Sequence, residues 1–261
     1  MDKANISKIA QTAEDKLFLA KIWDKINSGM QRNIVAASGF LSPRKQEMCR
    51  YLFGNADGLI WHGGYEDAER KMLIYLPDYL NNSFLMDDES PIACIRATYF
   101  KDDELSHRDF LGALIGIGIT RDSIGDICIS KGSCDFFVTK ELAEYVLLNF
   151  ESAGRTKLHL TQISLAEVAI AEAETDEIKD TVASLRLDSI ISSGFRIGRN
   201  LASQHILAGR AAIDGLVCEK PDRAVAEGAK ISVRGLGKIQ LRTINGNTKK
   251  GRISIIIDRY I

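Results

Sequence analysis

Leu17, Ala20, Ile22 and Ile26 recur at near-helical spacing through AEDKLFLAKIWDKI, so the chain is expected to open with an amphipathic helix. Ser42 ahead of Pro43 marks a second helix start, with the serine as N-cap and the proline in the first helical position. Two strand-like apolar runs follow, GLIWHGGY and KMLIYLP, with EDAER between them. The turn-rich YLNNSFLMDDESP then reads as a linker. These elements predict a small α/β domain over residues 1–82.

The next block has an informative order. IACIRATYF reads as a strand, SHRDFLGALIGIGI as a helix capped by Ser106, and IGDICIS and CDFFVTK as strands joined at a Lys131-Gly132 hairpin. ELAEYVLLNF reads as a helix and KLHLTQIS as a last strand. The result is β-α-β-β-α-β, the ferredoxin-like arrangement of many RNA-recognition modules, over residues 88–173. Stacking aromatics would sit on its central strands; Phe136 and Phe137 are adjacent, so one of them should be core. The acidic EAETDEIKDTVAS, with Ile178 its periodic apolar position, reads as a hinge or solvated helix.

In residues 184–261 the apolar positions shift again. Leu187, Ile190 and Ile191 make one helical face, and Gly194 reads as its stop. Ile197, Leu201 and Ala208 give a second helix its stripe, with Ala202 and Ile206 beside it and Gly209 at its end. Asp214-Gly215 is the expected turn between AAI and LVCEK, and Gly228 a turn before ISV. A helix pair on a twisted sheet is predicted here, and the fold class overall is α+β.

Charge changes this picture more than composition does. The net charge is −1, yet residues 184–261 hold 14 Lys+Arg against 6 Asp+Glu, a balance of +8, and the other 20 basic and 29 acidic residues give −9. Such asymmetry suits a polyanion at the basic end, nucleic acid above all. Five scattered cysteines and four scattered histidines show neither a disulfide framework nor a zinc pattern, so no metal and no cofactor are expected. The first thirty residues lack an apolar core of signal-peptide length, and the run Leu111–Ile119 is too short to span a bilayer. A soluble, cytoplasmic monomer without a membrane partner or small-molecule substrate is the expectation.

The candidate chemistry lies in RLDSIISSGFRIGRNLASQHILAGRAAIDG, which carries four arginines and two carboxylates. With Ile197 and Leu201 turned inward, Arg199 and Ser203 turn outward. Arg196 and Arg199 bracket the start of the second helix, where free N–H groups already favour an anion. Guanidinium forks there would cradle phosphate. Arg186 would enter from the first helix, and Arg210 and Lys220 from the far edge. In TKKGR, Lys249, Lys250 and Arg252 are further phosphate contacts or merely a solvated hairpin tip. His205 either stacks on a base or completes the core. Elsewhere the bland readings prevail: HGGYEDAERK as a structural turn, the glycines of GALIGIGIT as helix packing, and His107 as a helix-start residue. No catalytic residue is assigned.

Arg186-Leu187-Asp188, Gly194, Arg199, Ala202, Gly209, Asp214-Gly215, Lys220-Pro221 and Gly228 together resemble the αL-motif RNA-binding domain named after ribosomal protein S-four. Gly198 stands where that pattern has serine, Asp214 where it has asparagine, and Ala229 where it has aspartate. Adding HGGYEDAERK, HRDFLGALIGIGITRDSIGDI, VRGLGKIQL and TKKGRI in this order, most of the chain resembles the YlmH family of bacterial proteins. That resemblance implies an amino-terminal domain, an RNA-recognition-like middle domain and a carboxy-terminal αL domain. It also implies ribosomal RNA and tRNA as partners on the large subunit, in the rescue of subunits obstructed by peptidyl-tRNA. Carried over by position, it implies RNA contacts at Arg186, Arg199 and Asn200, flanked by Arg196, Gln204, His205 and Arg210. The leading expectation is therefore a non-enzymatic RNA-binding factor. An RNA-modifying enzyme of pseudouridine synthase or methyltransferase type, targeted by this domain, and a protein-interaction scaffold are the alternatives.

Overall fold

The computed structural model describes residues 5–168, 175–248 and 251–260. The chain divides into two compact units, 1–171 and 172–261. The first contains α1 (Ile6–Ile9), α2 (Ala13–Arg32), β1 (Ala36–Ala37), α3 (Pro43–Phe53), β2 (Leu59–His62) and β3 (Met72–Tyr75). It continues with β4 (Ile92–Thr98), α4 (His107–Gly116), β5 (Ile124–Ser130), β6 (Ser133–Thr139), α5 (Lys140–Asn149), β7 (Ser152–Ala153), β8 (Thr156–Lys157) and β9 (His159–Ile163). The second contains β10 (Thr175–Val182), α6 (Leu187–Phe195), α7 (Arg199–Leu207), β11 (Ala211–Ile213), β12 (Leu216–Val217), β13 (Lys230–Val233), β14 (Gly237–Asn247) and β15 (Ile253–Tyr260). The α+β class is as expected.

In the first unit, α2 starts where Thr12 accepts a hydrogen bond from the Asp15 amide, and it buries Leu19, Ile22 and Ile26. Leu17, assigned to that stripe from spacing, is exposed instead. The strand order β5-β6-β4-β9 is the ferredoxin-like one. A short β7–β8 hairpin precedes β9. Helices α4 and α5 cover one sheet face: Phe110, Leu114, Ala143 and Val146 close over Ile95, Phe136 and Val138. Gly112 and Gly116 lie within α4, but open space surrounds each, so they serve no packing contact.

The opposite face is not free. Phe40, Met72 and Ile74 from the amino-terminal elements pack with Ile92, Cys94 and Phe137, and Tyr65 stacks on Phe137 at 5.3 Å. Phe136 and Phe137 are therefore both core, because adjacent strand residues point to opposite faces and each face has a cover. The loop after β2 is tied down by charge. The Asp126 carboxylate accepts from the Tyr65 hydroxyl and the amides of Glu69 and Arg70. The buried Arg70 guanidinium donates to the carbonyls of Phe40, Arg121 and Ile124 at 2.8–2.9 Å. The segment HGGYEDAERK is a structural clamp.

In the second unit the strand order is β10-β15-β14-β13-β11-β12. The expected hinge or solvated helix is in part a strand: Thr175–Val182 pairs with β15 throughout, burying Ile178 and Val182. Helices α6 and α7 lie on this sheet over Ile231, Ile239, Leu241, Ile255 and Ile257.

Gly64 has φ +99°, and a Cβ there would lie 2.3 Å from the Phe137 ring. Gly64→Ala is expected to destabilise the first unit by about 3 kcal/mol, from overpacking plus backbone strain. Urea unfolding followed by tryptophan fluorescence measures it, since Trp23 and Trp61 both lie in that unit.

Candidate nucleic-acid interface

Helix α6 buries Leu187, Ile190 and Ile191 completely. Gly194 does not stop it. It lies inside the last turn, where a Cβ would meet Ile239 at 2.6 Å, so its role is close approach to the sheet. The helix ends instead at Arg196, which takes the left-handed conformation at φ 53°. Ile197 N–H then donates to the Ser192 carbonyl, and the Ser192 hydroxyl donates back to the Ile197 carbonyl. Arg196 is exposed in this turn between the helices.

Helix α7 is rotated from the expected phase. Ala202 and Ile206 are its buried positions, while Leu201 is 45% exposed and Ala208 lies outside the helix. Arg199, Asn200 and Gln204 are exposed, and Ser203 and His205 are half-buried. His205 Nδ1 is buried without a hydrogen-bond partner. Gly198 supplies no side-chain cap, so the first N–H groups of α7 lack that acceptor.

The decisive group is Asp188, one of the two carboxylates of the stretch. Its side chain is 5% exposed and accepts from Arg186 Nε and Nη2 at 3.2 and 3.0 Å, from Arg199 Nη2 at 3.1 Å, and from the Ser189 hydroxyl. Burial pushes this carboxyl up, but the hydrogen bonds and charges of both guanidiniums outweigh it and hold it below the usual range. Of the stretch's two carboxylates, this one answers two of its four arginines, Arg186 and Arg199. They are ion-paired, yet Arg186 and Arg199 keep 41% and 49% of their side-chain surface open. Two guanidiniums share this one buried carboxylate, with Asp222 a further negative charge near Arg186, and most of their N–H donors lie beyond Asp188.

The loop following β12 completes the cluster. Pro221 and Arg223 carbonyls accept from the amides of Asp188 and Leu187, the first N–H groups of α6. This docking brings Lys220 and the exposed Arg223 to the same helix start as Arg186. Arg210 follows α7 just ahead of β11, and its carbonyl accepts from the amide of exposed Arg234. Arg252 is elsewhere. Its guanidinium donates to Thr181 on β10, the edge strand remote from β11. Lys249 and Lys250 lie outside the described residues.

Sequence reasoning placed Asp188 in the αL pattern without giving it a role, and passed over Arg223 and Arg234 as contacts. The Arg-Leu-Asp spacing, two residues from guanidinium to carboxylate at a helix start, was the available signal for the first. Nothing local marks the other two. At the Asp214-Gly215 turn, Asp214 takes φ 48° and its carboxylate accepts from the Lys230 amide, so it holds the turn in asparagine's place. Among the described residues no helix is long and apolar enough to cross a membrane, and no group of three His, Cys, Asp or Glu is placed to hold a metal.

Asp188→Asn keeps the shape and removes the charge, and about 1–2 kcal/mol of stability should go with it, moderated because both arginines can turn to water. The folded carboxyl sits below its ordinary 3.8, so its contribution is complete above that value and fades as pH falls through the lowered folded one. Urea midpoints by circular dichroism at neutral and acid pH should therefore show a gap between wild type and variant that narrows toward acid.

A family model described as "Putative RNA-binding domain in YlmH" matches residues 92–167, from the first residue of β4 to just past β9. Over 239 residues the chain is 33% identical to the ribosome-associated protein quality control protein P2 of Bacillus subtilis (strain 168), covering 91% of each. The solved structure of cell division protein ylmH from Streptococcus pneumoniae aligns with a TM-score of 0.48 and 22% identity, over 60% of this chain and 96% of that one. With similarity running over nearly its whole length, this chain belongs to the YlmH family.

Proposed function

We propose that this protein is a non-enzymatic RNA-binding factor of ribosome-associated quality control. It acts in the cytoplasm on the large ribosomal subunit carrying peptidyl-tRNA, and its ligands are structured ribosomal RNA and tRNA. The observation that carries the reading is the pair of half-open guanidiniums set on one buried carboxylate beside the uncapped start of α7. Fixed forks next to free helix N–H groups suit phosphate oxygens. The name of the Bacillus relative points to ribosome-associated quality control, and the matched family model to RNA.

In this reading Arg186 and Arg199 grip the backbone of the RNA, with Asn200, Ser203, Gln204 and His205 along the same helix. Arg196, Arg210 and Lys220 extend the contact around the helix pair, joined by Arg223. Arg252 belongs to a separate contact, because it sits at the β10 side of the sheet; Lys249 and Lys250 are proposed RNA contacts from the sequence alone. Asp188 works through the arginines by holding them in place.

Cosedimentation with separated ribosomal subunits, with and without trapped peptidyl-tRNA, tests the assignment; retention on large subunits alone is expected, strengthened by the tRNA. Arg199→Ala should cost about 1–3 kcal/mol of RNA affinity. With about five phosphates neutralised, log affinity should fall against log salt with a slope on the order of −3 to −4. Asp188→Ala is the sharper probe. It adds positive charge to the protein, yet it should weaken binding, because the guanidiniums lose their fixed geometry. Filter retention at moderate salt reads all three, and tighter binding by the Asp188 variant would contradict the positioning role.

A further inference from the structure

The sheet face turned toward the amino-terminal elements is covered over only half its length. Cys94, Phe137, Cys128 and Ile163 form the covered half, with Phe137 held under Tyr65. One pair further along, Arg96 donates to Asp135 through Nε and Nη2 at 2.7 and 2.6 Å, closing the apolar part. Beyond that ion pair the register lines up Ser130, Ser133, Thr98 and His159 across all four strands. Ser130, Thr98 and His159 are exposed, so this half of the face is open and rich in hydroxyls.

An aromatic ring stands at its rim. Phe100 lies two residues past the end of β4 and is 69% exposed, the most exposed aromatic of the segment that matches the RNA-binding family model. Among the described residues it has no ring partner. Lys101 packs its stem over Gly132 at the hairpin tip, next to exposed Lys131. A hydrophobic ring left in water beside two ammonium groups and a row of hydroxyls has the parts of a base-stacking platform.

We propose that this open half-face takes an unpaired ribonucleotide, its base stacked on Phe100, its sugar and base edges toward the hydroxyl row, and its phosphate between Lys101 and Lys131. The proposal rests on the RNA-binding reading above and adds a second contact to it. The acidic run Asp102–Glu104 beyond the lysine offsets their charge, so stacking carries this contact, and it holds in salt that weakens the arginine site. Bases cannot stack on Phe137, the residue at the centre of the same face, because Tyr65 already occupies it.

The test uses the full chain and a short hairpin RNA whose loop carries 4-thiouridine. Irradiation followed by peptide mapping should place crosslinks within residues 98–101 or 130–133. Phe100→Ala should lower affinity about fivefold or more, at high salt as well as low, while Phe100→Tyr retains binding. Loss in both Phe100 variants would overturn the stacking role. Crosslinks confined to residues 186–210, with Phe100→Ala unchanged and Arg199→Ala weakened, would overturn this inference and leave the proposed function standing. No binding by the unaltered protein would sink both.

Discussion

A carboxylate withdrawn from water must be answered by charge, and in the second unit Asp188 is answered twice. Arg186 precedes α6 and Arg199 opens α7, so a single acid ties the starts of two helices that are joined through Arg196, Ile197 and Gly198. The same bond fixes two flexible side chains whose outer surfaces remain wet. The atoms that tie the helix starts together are thus the ones proposed to meet RNA. Arg242 is bound differently: it lies between two carboxylates, Glu177 and Asp258, on neighbouring strands.

Much of this fold was legible because long elements carry their period openly. The β-α-β-β-α-β order and its hairpin at Lys131-Gly132 follow from runs of apolar residues and turn chemistry, and the sheet order agrees. The failures have a physical origin. Ile178 and Val182 are four apart, a spacing that suits one face of a helix and one face of a strand equally, and only distant β15 decides between them. In α7, Leu201 drew the predicted stripe toward itself because of its size, whereas the space over the sheet accepts Ala202 and Ile206. Gly194 looked like punctuation, but close packing against Ile239 needed the absence of a side chain more than the helix needed a stop.

The candidate arginines were legible by type and not by geometry. Their number and position announced a polyanion partner, but whether a guanidinium is spent internally depends on which way Asp188 points, and the helix phase alone leaves that open. Phe136 and Phe137 teach a related lesson. Two adjacent apolar residues on a strand imply one buried face only when the other face meets water; here a second block of the chain supplies the missing layer, and Arg70 and Asp126 anchor it by hydrogen bonds to the backbone. Neither polar anchor has a periodic signature.

The pairing of β10 with β15 has a consequence for where the molecule can be cut. The stretch that resembles the αL motif begins at Arg186, after β10 has ended, so a fragment trimmed to it would lose the strand that shields β15. The amides and carbonyls of Ile253–Tyr260 that face β10 would then lie unpaired in solvent, the others still bonded to β14, an inviting template for self-association. The intact protein ends its sheet with Asp176, Glu177, Lys179 and Asp180 exposed, a charged selvage that discourages a neighbour from annealing. The segment read from sequence as a hinge or solvated helix is thus, over Thr175–Val182, the charged hem of this sheet.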